Sequence, residues 1–208
     1  MNFDNFVLLF CNGDPPSRER LRKVAPHPAL IACADGGAQK AIATGYKPNL
    51  IVGDLDSFVR SDADLKNTEI VKISSQDNND FEKTLDFMLQ KGWNNFLIAA
   101  FAGGRIDQTM ANMQIAYEYS KKCTIALVDD EYVIVPVTQN LVEKVPSGTL
   151  ISIIPMKDDT IVSTEGLVYE LSHDKIRKGG QGISNRAVKD KIVISIHKGG
   201  VLVFIKEV

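Results

Sequence analysis

Six apolar runs of strand length punctuate the first two-thirds of the chain, at Phe6–Cys11, Leu30–Ala34, Leu50–Val52, Ile70–Ile73, Phe96–Phe101 and Thr124–Val128, with helix-compatible stretches between most of them. Strands that alternate with helices join through crossovers, so this spacing predicts a parallel α/β sheet. The helices signed best are Phe81–Gln90, with Phe81, Leu85, Met88 and Leu89 on one face, and Gln108–Tyr119, with Met110, Met113, Ile115 and Tyr117 turned mostly to the core. Asp80 is the expected N-cap of the first, and Asp107, just after Gly103 and Gly104, that of the second.

From about Asp130 the pattern changes. Short alternating or β-branched runs follow at Tyr132–Val137, Thr149–Pro155, Thr160–Ser163, Leu167–Leu171, Lys191–His197 and Val201–Ile205, separated by turns containing Pro, Gly and Ser. None shows a helical period, which is the mark of a small antiparallel sandwich or barrel. The boundary is expected near residues 129–140, where Asp129–Asp130 makes a turn and Pro136 limits strand continuation.

Composition narrows the function class without identifying it. The 208 residues carry 24 Lys+Arg against 26 Asp+Glu, a formal charge of −2, which argues against a protein that coats nucleic acid. At 44% hydrophobic residues the chain can bury one core or two small ones. No apolar run approaches the roughly 18 residues of a membrane helix, and the start MNFDNFVLLFCNGD lacks a basic n-region, so a cytoplasmic protein off the membrane is expected. Cys11, Cys33 and Cys123 lie in or beside apolar runs without metal-ligand spacing and read as reduced core thiols. His27, His173 and His197 are far apart and read as surface or structural side chains rather than a ligand cluster. Between Asp54 and Asp86, however, nine acids face four bases. That asymmetry fits either a solvated surface or a divalent-cation site.

Four strand ends carry residues with chemistry. Gly53-Asp54-Leu55-Asp56-Ser57 follows an apolar strand, and in extended backbone Asp54 and Asp56 project to the same side, suiting Mg²⁺. Gln76-Asp77-Asn78-Asn79-Asp80-Phe81-Glu82-Lys83 lies between a strand and a helix; Asp80 can cap that helix, join Asp54 and Asp56 around a cation, or do both, and Lys83 offers a point charge to phosphate. Gly103-Gly104-Arg105-Ile106-Asp107-Gln108 combines close backbone approach, free N–H groups and a guanidinium fork, the parts of an anion site. Asp35-Gly36-Gly37-Ala38 is a parallel element after Leu30–Ala34. The chain has no Walker loop, no G-x-G-x-x-G after a strand, no G-x-S-x-G elbow and no H-E-x-x-H.

In order, spacing and strand-end placement, this series resembles thiamin pyrophosphokinase, and the resemblance continues through Thr164-Glu165-Gly166-Leu167-Val168-Tyr169 and Ser184-Asn185. It implies an α/β protein with a Rossmann-like parallel N-terminal domain, residues 1–130, that binds ATP and Mg²⁺, and a C-terminal antiparallel β-sandwich, residues 131–208, that binds thiamin. The implied activity is pyrophosphoryl transfer from ATP to the hydroxyethyl oxygen of thiamin, giving thiamin diphosphate and AMP, in a homodimer with interfacial active sites. By the same resemblance Asp54, Asp56 and Asp80 are metal-binding carboxylates. Gln76, Lys83, Arg105 and Asp107 are contacts to nucleotide and phosphate, and Ser163 and Tyr169 hold thiamin. Two positions depart from common members: Asn79 stands where many carry Thr, and Tyr169 where some carry Trp. The rival readings are a pyrophosphokinase for another alcohol, such as a hydroxymethylpterin, and a nucleotide-binding protein without turnover. The loop His173–Gly182 reads as a surface loop, with a lid as the alternative.

Overall fold

In a computed structural model, residues 4–56, 65, 67–75 and 77–206 are described. They divide into two compact units, one of residues up to 115 together with 122–130, the other of residues 116–121 and 131–206.

The first unit is built on six parallel strands: β1 (Val7–Phe10), β2 (Leu30–Ala34), β3 (Leu50–Gly53), β4 (Glu69–Lys72), β5 (Asn95–Ala99) and β6 (Thr124–Val128), in the order β6-β5-β1-β2-β3-β4. Every residue of β1 and β3 is buried, the pattern of strands covered on both faces. The crossovers carry α1 (Arg18–Val24), α2 (Gly37–Ala43), α3 (Asp80–Gln90) and α4 (Ile106–Tyr119). The expected parallel sheet is therefore present. Because β1 lies between β2 and β5, the chain reverses its direction of travel there, opening a crevice at the carboxyl ends of these two neighbours.

Several element ends differ from the sequence reading. The run Phe96–Phe101 outlasts its ladder, because Ala100 turns to φ +55° while Phe101 stays buried. Asn79 caps α3, its side chain accepting from the Glu82 N–H at 2.9 Å, so Asp80 is the first helical residue rather than the cap. Asp80 and Glu82 then supply negative charge to the helix N-terminus. Likewise α4 begins at Ile106, which puts Asp107 inside its first turn, and Met110 is 60% exposed instead of core-facing.

The second unit contains two antiparallel sheets. One has the order β12-β9-β14-β7, from β7 (Tyr132–Val137), β9 (Leu150–Pro155), β12 (Asn185–Arg186) and β14 (Val201–Lys206). The other is β11-β10-β13-β8, from β8 (Asn140–Lys144), β10 (Ile161–Glu165), β11 (Asp174–Lys175) and β13 (Lys191–Lys198). Alternate side chains from both sheets, among them Val135, Ile153, Val162, Ile194 and Val203, form one buried cluster. Of the sandwich and the barrel, this is the sandwich.

The expected strand Tyr132–Val137 is β7, with Pro136 opposite Leu202 and the strand ending one residue later. A later run differs from its expectation. The run Leu167–Leu171 is not a strand: besides a single bridge from Leu167 to Ala187 and a backbone hydrogen bond from Thr164 N–H to the Leu171 carbonyl, it is held by side chains, Leu171 N–H on Thr164 Oγ1 and Tyr169 N–H on Asn185 Oδ1. The stretch His173–Gly182 is pinned by β11, by buried Ile176 and by the Gly182 carbonyl, which accepts from Ile153 N–H. Among the described residues no helix is long and apolar enough to cross a membrane.

Candidate active site

The carboxyl ends of β1, β2, β3 and β5 surround a cavity of about 530 Å³ in the first unit. Its walls come from Asn12–Asp14 after β1, Asp35 and Gly36 after β2, Asp54 after β3, Asn78–Asp80 at the start of α3, and Gly103–Arg105 after β5. Two glycines let these loops approach. A Cβ on Gly13 would stand 2.1 Å from the Ala102 carbonyl oxygen, and one on Gly37 2.2 Å from that of Phe10. Asn112, buried on α4, ties down the loop after β5 by donating to the Phe101 carbonyl at 2.7 Å. Three strand ends turn through left-handed backbone at residues that are not glycine: Asp35 (φ +40°), Leu55 (φ +66°) and Ala100 (φ +55°). Such torsions concentrate where a site dictates backbone direction.

Carboxylate oxygens of Asp35, Asp54 and Asp56 lie within 4.8 Å of one another. Asp54 and Asp56 thus converge as the i, i+2 spacing suggested, and Asp54 Oδ1 also accepts from the Asp56 N–H at 3.2 Å. Asp35, which is 3% exposed, is the carboxylate that the sequence reading missed, having read its segment for the glycines. Asp80 packs over Gly53, where a Cβ would be 3.3 Å from its Cγ and 2.8 Å from the Asp35 Cβ. Lys83 joins the groups: its Nζ is 2.9 Å from Asp80 Oδ1 and 3.9 Å from Asp54 Oδ2, with the lysine side chain almost wholly buried. Hard oxygens from several aspartates, open to a polar cavity, are a donor set suited to Mg²⁺, which takes a few carboxylates and completes its shell with water and phosphate oxygens.

Arg105 lines the same cavity and forks onto Asp107, Nε to Oδ1 at 3.1 Å and Nη2 to Oδ2 at 2.6 Å. That hydrogen bond, followed by the Gln108 N–H, holds the Asp107 carboxyl below the usual aspartate range. Gln76 lies outside the described residues. Cys11 and Cys33 are buried free thiols. Burial pushes both thiols far above their ordinary range, Cys33 further through neighbouring Cys11, so the reactive thiolate is disfavoured.

Ser163 and Tyr169 belong to the second unit. Tyr169 exposes 74% of its surface, yet its backbone is gripped at both ends by the buried Asn185, which accepts from its N–H at 3.1 Å and donates to its carbonyl at 2.8 Å. Ser163, on β10, hydrogen-bonds to His197 and to the backbone of His173. The two histidine rings meet with centroids 4.4 Å apart, a structural contact between side chains far apart in sequence. The roles of Asn12, Asp14 and Asn112 were also missed. Only the first two left a trace in the sequence, as Asn12-Gly13-Asp14 closing an apolar run in the way Gly53-Asp54 closes another.

Comparison with known proteins agrees across both units. The model for the catalytic domain of thiamin pyrophosphokinase matches residues 21–127, and that for the family's vitamin B1 binding domain matches residues 135–201. Thiamine pyrophosphokinase 2 of Arabidopsis thaliana is 27% identical over 197 residues, covering 80% of this chain and 74% of its own. Thiamin pyrophosphokinase 1 of Caenorhabditis elegans is 28% identical over 190 residues, covering 80% and 75%. Among solved structures, thiamine pyrophosphokinase from Bacillus subtilis superposes with a TM-score of 0.81 at 21% identity, over 97% of this chain and 99% of that one. Thiamin pyrophosphokinase from Candida albicans gives 0.82 at 20% identity, over 98% and 89%. At these identities the structures establish a shared fold, and the matching of both domain models establishes more: the chain belongs to the thiamin pyrophosphokinase family.

Proposed function

We propose that the protein transfers a pyrophosphoryl group from ATP to the hydroxyethyl oxygen of thiamin, giving thiamin diphosphate and AMP, and that it does so in the cytoplasm. The observation that carries this reading is the meeting of aspartates, Lys83, Arg105 and glycine-rich loops at one cavity, in a chain that also matches the family's vitamin B1 binding domain. In the reaction the thiamin hydroxyl oxygen bonds to the β-phosphorus of ATP, the bond from that phosphorus to the α-phosphate bridging oxygen breaks, the hydroxyl proton is lost and AMP leaves. Such a transfer needs in-line positioning and charge neutralisation more than covalent help.

In this reading Asp54, Asp56 and Asp80, with Asp35 beside them, hold Mg²⁺ at the strand ends. The bound ion would neutralise phosphate charge and favour ionisation of the attacking hydroxyl. Arg105 and the backbone around Gly103 and Gly104 orient the phosphates, Lys83 offsets the carboxylates until nucleotide arrives, and Gln76 and Asp107 complete the nucleotide side. Ser163 and Tyr169 hold thiamin, the exposed aromatic face suiting a cationic thiazolium. The working form is a homodimer with interfacial active sites, supported by the family resemblance.

AMP release from ATP and Mg²⁺, measured with thiamin and separately with a hydroxymethylpterin, tests substrate and reaction together. Release with thiamin alone is expected. Release with the pterin alone would overturn the substrate, and release with neither would overturn the activity.

A further inference from the structure

Ser163 is the meeting point of a hydrogen-bonded chain. The backbone N–H of His173 donates to Ser163 Oγ at 2.8 Å, and the same oxygen lies 2.8 Å from His197 Nε2. His173 is held for this by left-handed backbone (φ +58°), unusual for a residue that is not glycine, and its ring lies against that of His197. A bulge between Ile161 and Val162 shifts the pairing of β10 with β13 at this end of the ladder, near His197. Two residues from separate parts of the chain therefore converge on the Ser163 hydroxyl.

A serine hydroxyl has one proton and two acceptor lone pairs. One lone pair is taken by the His173 N–H. Imidazole nitrogen is a far better base than an alcohol oxygen, and an oxygen that accepts a hydrogen bond becomes a better donor. Both effects run the chain in one direction, from His173 N–H to Ser163 O–H to His197 Nε2, with the proton of the neutral ring on Nδ1. The hydroxyl's proton is then spent inward, and one lone pair remains for a donor outside.

We propose that His197 is a positioning residue of the acceptor site: by accepting the Ser163 proton, and with its ring steadied by His173, it makes Ser163 a hydrogen-bond acceptor for a donor group of the substrate, such as an exocyclic amine. This rests on the assignment of Ser163 to thiamin made above. His197 touches no reacting atom and acts only through Ser163.

Two measurements test it. In ¹⁵N NMR of the imidazoles, His197 of the ligand-free protein should carry its proton on Nδ1, with an Nε2 signal that shifts in Ser163→Ala; a neutral ring protonated on Nε2 would overturn the proposal. In kinetics, His197→Phe keeps a ring against His173 but removes the nitrogen. It should raise the thiamin KM about fivefold, as loss of one hydrogen bond does, leave the ATP KM unchanged, and add nothing in the double variant with Ser163→Ala. If Ser163→Ala raises the thiamin KM but His197→Phe does not, or if the two effects add, His197 is not acting through Ser163 and the rest of the thiamin site stands. If Ser163→Ala itself leaves the thiamin KM unaltered, the assignment of Ser163 falls and the positioning role with it.

Discussion

Lys83 and Asp80 are joined across the first turn of α3, Nζ donating to Oδ1 at 2.9 Å from a lysine side chain that is 5% exposed. Asp54 stands at 3.9 Å from the same ammonium. Lys83→Met removes the charge and keeps the packing, so the carboxylates face one another uncompensated. Because the acids remain partly solvated, the loss of stability should be about 1–3 kcal/mol, below that of a fully buried pair. Urea midpoints with and without Mg²⁺ check this. The cation should recover part of the loss in the variant, and an unchanged midpoint without Mg²⁺ would show that the lysine does not offset the acids.

Asp56→Asn and Asp80→Asn keep shape and remove charge. Each should lower Mg²⁺-dependent AMP release by about 10²–10³-fold, the scale of losing one electrostatic element at a transferring phosphoryl group, with the circular dichroism spectrum unchanged. Near-normal turnover in both would refute the metal assignment.

Tyr169 and Asn185 should be separable. Tyr169→Ala should raise the thiamin KM more than the ATP KM, whereas equal changes would count against a stacking face. Asn185→Ala leaves the ring but frees its backbone, so it should reproduce the thiamin defect. It should also cost about 1–3 kcal/mol in thermal unfolding, because buried groups lose partners.

Glu118 provides a pH dependence whose sign follows from its partners. Its hydrogen bond with Lys121, seconded by one from Lys157, holds the carboxyl below the ordinary glutamate range. Its contribution is therefore present above the unfolded-state pKa of about 4.3 and lost as pH falls through the lower folded-state value. Glu118→Gln should flatten the stability profile across that acid interval, as followed by urea titration at a series of pH values. An unaltered profile would mean that these exposed pairs contribute nothing measurable.

The parallel half was legible because its inner strands are buried on both faces, so Val7–Phe10 and Leu50–Val52 show as unbroken apolar runs. Their ends were less so. Asn79 and Asp80 are both competent caps, and it is the extended backbone at Asn79 (φ −76°, ψ 169°) that decides between them. Leu167–Leu171 has strand composition, but two of its N–H groups go to the side chains of Thr164 and Asn185, and strand patterning announces neither partner. Asp54 and Asp56 were readable together through their spacing, while Asp35 joins them only because β2 and β3 are neighbours. The meeting of His173 and His197 depends on cross-strand register, and 23 intervening residues conceal it.

The left-handed turns at Asp35, Leu55 and Ala100 mean that main-chain torsion, before any rotamer choice, decides where the strand-end groups are delivered. Copying the acidic residues onto another parallel sheet would transfer composition without aim. A designer borrowing this site would have to reproduce three backbone bends first, and only then place the carboxylates on them.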